Sequence, residues 1–301
     1  MAALDDDPVV VRRARKGLAV YFSVLVPASA ALEFLLLRTG QPIQSHPGLI
    51  FLLMWCPTAA SFAARLVLRE GFRDVSFRFG GREGIRALLI AWLYPLAVGF
   101  LAYGTAWVAG AAAFAPPALE KLGLGSAPPA ARFVALLALS LTIGNMLSII
   151  SAAGEEIGWR GYMLTRLIDA RVPMPVLVSG LIWGAWHLPL ILSGQYASSE
   201  KPALSATLFL VDIVAFAYLA AWLRLRSGSV WPAVLIHASW NVIIQSVFDA
   251  STKGGPFLIG ESGILTTAVN VLLVFLILRG SWPPSPSPAG DDRAAVIALG
   301  S

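Results

Sequence analysis

Eight apolar runs separated by short polar segments constrain this chain more than any other feature. They lie at about Gly17–Leu37, Leu49–Leu68, Ile85–Val108, Phe133–Ala153, Met174–Ser193, Ala203–Leu223, Val230–Phe248 and Gly263–Leu278. Each is near the length that crosses ~30 Å of hydrocarbon at ~1.5 Å per residue. Inside lipid every backbone N–H and C=O needs a partner from the chain itself, so only helices and closed barrels span. The runs lack the short alternation of barrel strands. The expected fold is therefore all-α: a polytopic membrane helix bundle of about eight transmembrane helices. Composition agrees, with 57% hydrophobic and only 13% charged residues. Soluble domains carry about 25% charged residues.

Lysine and arginine sort onto alternate sides of these spans. Seventeen fall with the N-terminus, the second, fourth and sixth loops and the tail, and five fall on the other side. By the positive-inside rule both termini are expected in the cytoplasm, with the protein multi-pass in the cell membrane. The net charge of +5 then needs no nucleic-acid partner. The single cysteine, Cys56, excludes an intramolecular disulfide and a cysteine-based metal site. Arg12 to Lys16, the first run and Ala28-Ser29-Ala30 also fit a cleavable signal peptide. Apolar character continues to Leu37, however, which favours a retained span.

The expected organisation is 1–130 for helices one to three and their loops, 131–250 for a four-helix core, 251–280 for the last helix, and 281–301 for a disordered Pro/Ser-rich tail. No internal repeat is evident, which counts against an inverted-repeat transporter.

Charges at membrane depth are costly and mark functional sites. The densest group is Gly154-Glu155-Glu156-Ile157-Gly158-Trp159-Arg160. Glu156 and Arg160 are four residues apart, the spacing of a helical ion pair, and Glu155 projects about 100° away from Glu156. His187 lies one turn after Trp183. His237 and Asn241 share a helical face by the same spacing. If the fourth span surfaces near Arg166, Glu155 and His187 each lie ~16 Å from the basic side and His237 ~9 Å. One shared cavity is feasible within helix tilt. Asp212 and Glu33 are also ionisable at depth. Asp212 is a candidate cavity or supporting residue, whereas Glu33 sits nearer the outer end, within reach of water. His46 falls in an outer loop.

Glutamate with histidine can take a proton from water. A second histidine and an amide can hold an oxyanion, and arginine can fix the second carboxylate. Hydrolysis is therefore the chemistry these residues suit. Two histidines and a glutamate are also a zinc-ligand set. A divalent ion such as zinc is not required by the sequence; if one is bound, Glu155, His187 and His237 are its expected ligands. Against this stands a purely structural reading, an intramembrane ion pair plus interhelical hydrogen bonds. A proton-coupled transporter relaying through Glu155 and Glu156 is a further alternative.

The three motifs, Glu155-Glu156-x-x-x-Arg160, Trp183-x-x-x-His187 and His237-x-x-x-Asn241, together resemble the signature of the CAAX-protease and bacteriocin-processing family (CPBP, or Abi). That family is related to the Ras-converting CAAX prenyl endopeptidases. Tyr162 after the first motif and Arg226 to Trp231 before the third fit as well, and the likeness covers roughly Ala152 to Val247. The resemblance implies an intramembrane endopeptidase acting on a membrane-associated, including lipid-modified, protein or peptide. Glu155 would be the main catalytic glutamate, activating water with His187. Glu156 and Arg160 would orient it. His237 and Asn241 would bind the oxyanion. The cavity would open toward the cytoplasm or sideways into the bilayer. Members have been described both as metalloproteases and as glutamate-dependent enzymes. One departure is Trp183, where the family usually has Phe, which implies a reshaped cavity wall. The alternative from another class is a non-enzymatic protein of the same fold, a bacteriocin-immunity or scaffold factor.

Overall fold

The structure, a computed structural model, describes residues 8–255 and 257–281. Eight apolar helices form among them: α1 (Pro8–Thr39), α2 (Pro47–Leu68), α3 (Gly81–Val108), α4 (Pro129–Asp169), α5 (Pro175–Leu192), α6 (Pro202–Ser227), α7 (231–249) and α8 (Ile264–Leu278). The first six are long and apolar enough to cross a membrane. The only strands among the described residues, β1 (Ala113–Phe114) and β2 (Thr252–Lys253), pair antiparallel. This is the expected all-α polytopic bundle, a multi-pass membrane protein. The tail from residue 282 and Asp5-Asp6-Asp7 lie outside the described residues.

Proline opens α2, α5 and α6 at the first turn, where its missing N–H costs nothing. At Gly228, with φ of 61°, α6 stops in the left-handed conformation glycine tolerates. Large apolar side chains such as Leu66, Phe100, Met146 and Phe275 point outward, as lipid-facing helices require.

The fourth span departs from expectation. It does not end near Ala153 but continues as one 41-residue helix to Asp169. Arg160 is therefore not a loop charge: it is buried within α4 and paired with Glu156. A run of apolar residues stops at a charge, but a helix need not end where its charges are internally paired. With Arg160 set aside, the Lys and Arg asymmetry stands. Two stretches of α4, Ser140–Gly144 and Trp159–Met163, are π-helical, as is the second half of α7, Asn241–Asp249. Such widened turns recur at functional sites.

Helices alternate in direction, giving the bundle two unlike ends. At one, here the basic end, Arg65 pairs with Asp74, while Arg166 pairs with Glu70, Asp74 and Asp169. Arg13, inside α1, reaches Glu70 at 2.8 Å. At the other, the loop end, residues 40–46, 193–201, 250–255 and 257–263 converge. Ile43 N donates to Gln195 O, and Ser262 Oγ donates to Ala197 O.

Candidate active site

Two glycines decide where the acidic motif sits. Gly154 and Gly158 are one turn apart on the face of α4 that meets α2. A Cβ at Gly158 would lie 2.4 Å from the Pro57 carbonyl carbon, and one at Gly154 would lie 2.8 Å from Met54 O. Only glycine permits this approach, and it holds the intervening Glu155 and Glu156 in the interior. Their relative exposures are 2% and 0%.

Charge at that depth needs compensation. Arg160 Nη1 donates to Glu156 Oε1 at 2.8 Å. His237 Nδ1 meets the same oxygen at 2.9 Å from α7. A carboxylate only accepts, so Nδ1 carries a proton and Nε2 turns toward Glu155 Oε1, 4.0 Å away. The guanidinium carbon of Arg160 lies 4.0 Å from the Trp183 ring centroid, a cation–π contact. Glu156, Arg160 and His237 thus lock α4, α5 and α7 together.

Glu155 is held differently. Its Oε2 accepts two indole N–H groups, from Trp159 at 3.1 Å and Trp183 at 2.8 Å. That leaves Oε1 as the oxygen free to take a proton. Trp183 is therefore more than a reshaped wall, because its ring carries Arg160 and its N–H fixes Glu155. A phenylalanine there would keep the first contact and lose the second.

His187 donates Nδ1–H to Trp183 O at 2.9 Å. A carbonyl can only accept, so the neutral ring carries its lone pair on Nε2. No hydrogen bond joins His187 to Glu155; Trp183 bridges them, bonded to each. His187, His237, Asn241 and Asp212 line one cavity of about 30 Å³, room for a water molecule or two by the measure of ~10–15 Å³ each. Asp212 is held on that wall by Asn270 Nδ2 at 2.9 Å, and Asn270 Oδ1 accepts from Tyr94. Glu33 is buried on α1 and does not line this cavity. His46 stands at the start of α2 in the loop end, away from the site.

As metal ligands the candidates do not fit. Among the described residues no three His, Cys, Asp or Glu side chains converge on one ion position.

The site includes residues the motifs do not mark. Glu261, in the loop before α8, accepts from Tyr196 Oη at 2.7 Å, Trp240 Nε1 at 2.8 Å and Gln245 Nε2 at 3.0 Å. The Tyr196 ring stacks on His187, with centroids 5.8 Å apart. Gln245 Nε2 also donates to Asn241 Oδ1 at 3.4 Å. Burial and the Glu261 carboxylate push the Tyr196 hydroxyl well above its ordinary range, keeping it a donor. Glu261 follows no helical period and pairs with nothing near it in sequence. No sequence signal distinguishes it from a solvated loop acid.

Comparison with known proteins agrees with the three-motif resemblance. Residues 133–243 match the family model described as type II CAAX prenyl endopeptidase Rce1-like. A protein named CAAX prenyl protease 2 from Methanococcus maripaludis is 29% identical over 135 residues, covering 43% of this chain and 48% of that relative. The match therefore spans about half the length of that relative. The family-model match over residues 133–243 takes in all three motifs and Trp183.

Proposed function

We propose that this protein is an intramembrane endopeptidase that hydrolyses a peptide bond in a membrane-anchored protein or peptide. The observation that carries the reading is the division of labour between adjacent carboxylates. Glu156 is spent on Arg160 and His237, whereas Glu155 keeps one oxygen open toward His237.

In this mechanism a water held between Glu155 Oε1 and His187 Nε2 attacks the scissile carbonyl carbon. Its proton passes to Glu155 or His187, and a C–O bond forms as the carbonyl π pair moves to oxygen. Asn241 Nδ2–H, and His237 Nε2 when that nitrogen is protonated, donate to the oxyanion. On collapse the C–N bond breaks, and the leaving amine takes the proton first removed from water. Arg160 and Trp183 undergo no bond change; they fix the carboxylates. The name of the Methanococcus relative suggests the substrate class, a peptide ending in an S-prenylated cysteine motif. Both termini are placed in the cytoplasm by this reading, on the Lys and Arg asymmetry.

The test is cleavage of quenched fluorescent peptides, S-farnesylated or bare at a C-terminal Cys-aliphatic-aliphatic-X, by the purified full chain in detergent. Glu155→Ala and His187→Ala should each lower the rate by ~10²–10⁴ while size-exclusion profile and helicity stay unchanged. Full cleavage by both variants would remove the mechanism.

A further inference from the structure

The reading above leaves open how a polypeptide reaches a cavity of about 30 Å³. At the basic end the site is packed under buried side chains. Trp159, Tyr162 and Arg160 are fully buried below the motif, and the Arg65–Asp74–Arg166 ion pairs lie at that end. Arg65 also reaches past them to Gly161 O.

The loop end is the opposite. A chamber of about 400 Å³ lies between the 193–201 loop and the 250–255 and 257–263 segments, within the ~300–1,000 Å³ range of ligand pockets. Its walls are hydroxyls, amides and loop backbone, including Ser199, Ser205 and Gln245, with Asp249 and Glu261 as the only charges and no lysine or arginine. Neither carboxylate has an ion-pair partner among the described residues. Chamber and inner cavity share two lining residues, Tyr196 and Glu261. The wall between them is thus one side chain thick, and that wall stacks on His187.

Resting on the protease reading, we propose that this chamber binds the hydrophilic, extended part of the peptide substrate, and that Glu261 is the latch between chamber and site. The lining suits peptide amides and neutral or cationic side chains, not a hydrocarbon anchor. Glu261 draws Tyr196, Trp240 and Gln245 onto one carboxylate by neutral donors alone. Release of Tyr196 uncovers His187 and merges the two spaces. The latch also positions Asn241. Gln245 donates to Asn241 Oδ1, so the amide nitrogen of Asn241 is turned away from Gln245, free to donate in the cavity. Glu261 is accordingly a positioning residue that acts through Gln245 and Tyr196.

The experiment uses the full chain with Cys56→Ala as background and two reporters. Asn241→Cys reports on the inner cavity. Labelled with a small cationic methanethiosulfonate, it should react at least tenfold faster when Glu261→Ala is added, and Tyr196→Phe should fall between. Arg73→Cys, exposed at the basic end, should not change. Glu261→Gln serves if the alanine variant does not purify as a monodisperse protein, and it should accelerate labelling in the same direction. Equal rates with and without the Glu261 change overturn the latch. The second arm joins a polyethylene-glycol maleimide to Ser199→Cys, which should cut peptide cleavage at least tenfold, whereas the same adduct on Arg73→Cys should not. Retained cleavage with Ser199→Cys blocked overturns the chamber. Labelling needs no proteolysis, so the arms fail separately. If the parent protein cleaves neither peptide but labelling follows Glu261, the protease reading falls and the latch stands.

Discussion

Glu261 lines the inner cavity and Glu156 bonds to His237, which lines it too; both carboxylates are buried, and they are stabilised in opposite ways. Glu156 gives one oxygen to Arg160 and His237, so charge meets charge inside the helical core. Glu261 gives both oxygens to the neutral donors of Tyr196, Trp240 and Gln245 at the edge of a polar chamber. The first arrangement cannot lose a partner without stranding a charge in low dielectric. The second can exchange a donor for water from the chamber. One is suited to bracing a site, the other to opening it.

The comparison can be broken at its strong side first. Arg160→Ala should cost about 3–5 kcal/mol of stability, because Glu156 loses its cation in the core. Thermal unfolding in detergent measures it, and a loss near that of a surface pair would make the brace decorative. Next in size, Asn241→Ala should lower kcat by about 10²–10³ with little change in melting temperature, as removal of an oxyanion donor does. An equal loss in folding stability would instead mark Asn241 as packing. Trp183→Phe keeps the aromatic face under Arg160 and deletes the N–H on Glu155. One hydrogen bond to a charged group is worth ~1.5–3 kcal/mol, so turnover should fall by about 10–100-fold, read as kcat in the peptide assay. The smallest effect should be Glu261→Gln, below about 1 kcal/mol in thermal unfolding, because an amide oxygen still accepts from two of the three donors and water reaches the chamber side. A loss as large as that of Arg160→Ala would erase the distinction between brace and latch.

What was legible in the sequence follows the range of the interactions involved. The Glu156–Arg160 pair lies within one turn, and helical spacing alone predicts it. His237 and Asn241 share a face for the same reason and do line one cavity. The end of the fourth helix is not legible in the sequence, because Glu155, Glu156 and Arg160 resemble an exit from lipid although the Glu156 and Arg160 charges are paired inside it. Trp183 is legible only as bulk, since a sequence shows an indole but not the oxygen its N–H meets.

The sequence alone determined the class of the molecule. Apolar runs of span length leave a backbone in lipid no alternative to helices, and buried charges at helical spacing mark the candidate site. Only the tertiary structure decided which carboxylate is braced and which is open. It also decided that α4 continues through its charges to Asp169, and that the space beside the site lies at the loop end. Those outcomes depend on contacts between residues far apart in the chain: Gly158 against Pro57, His237 against Glu156, Glu261 against Tyr196. No local periodicity encodes such contacts. They exist because helices that must each bury their polar groups can do so only against one another.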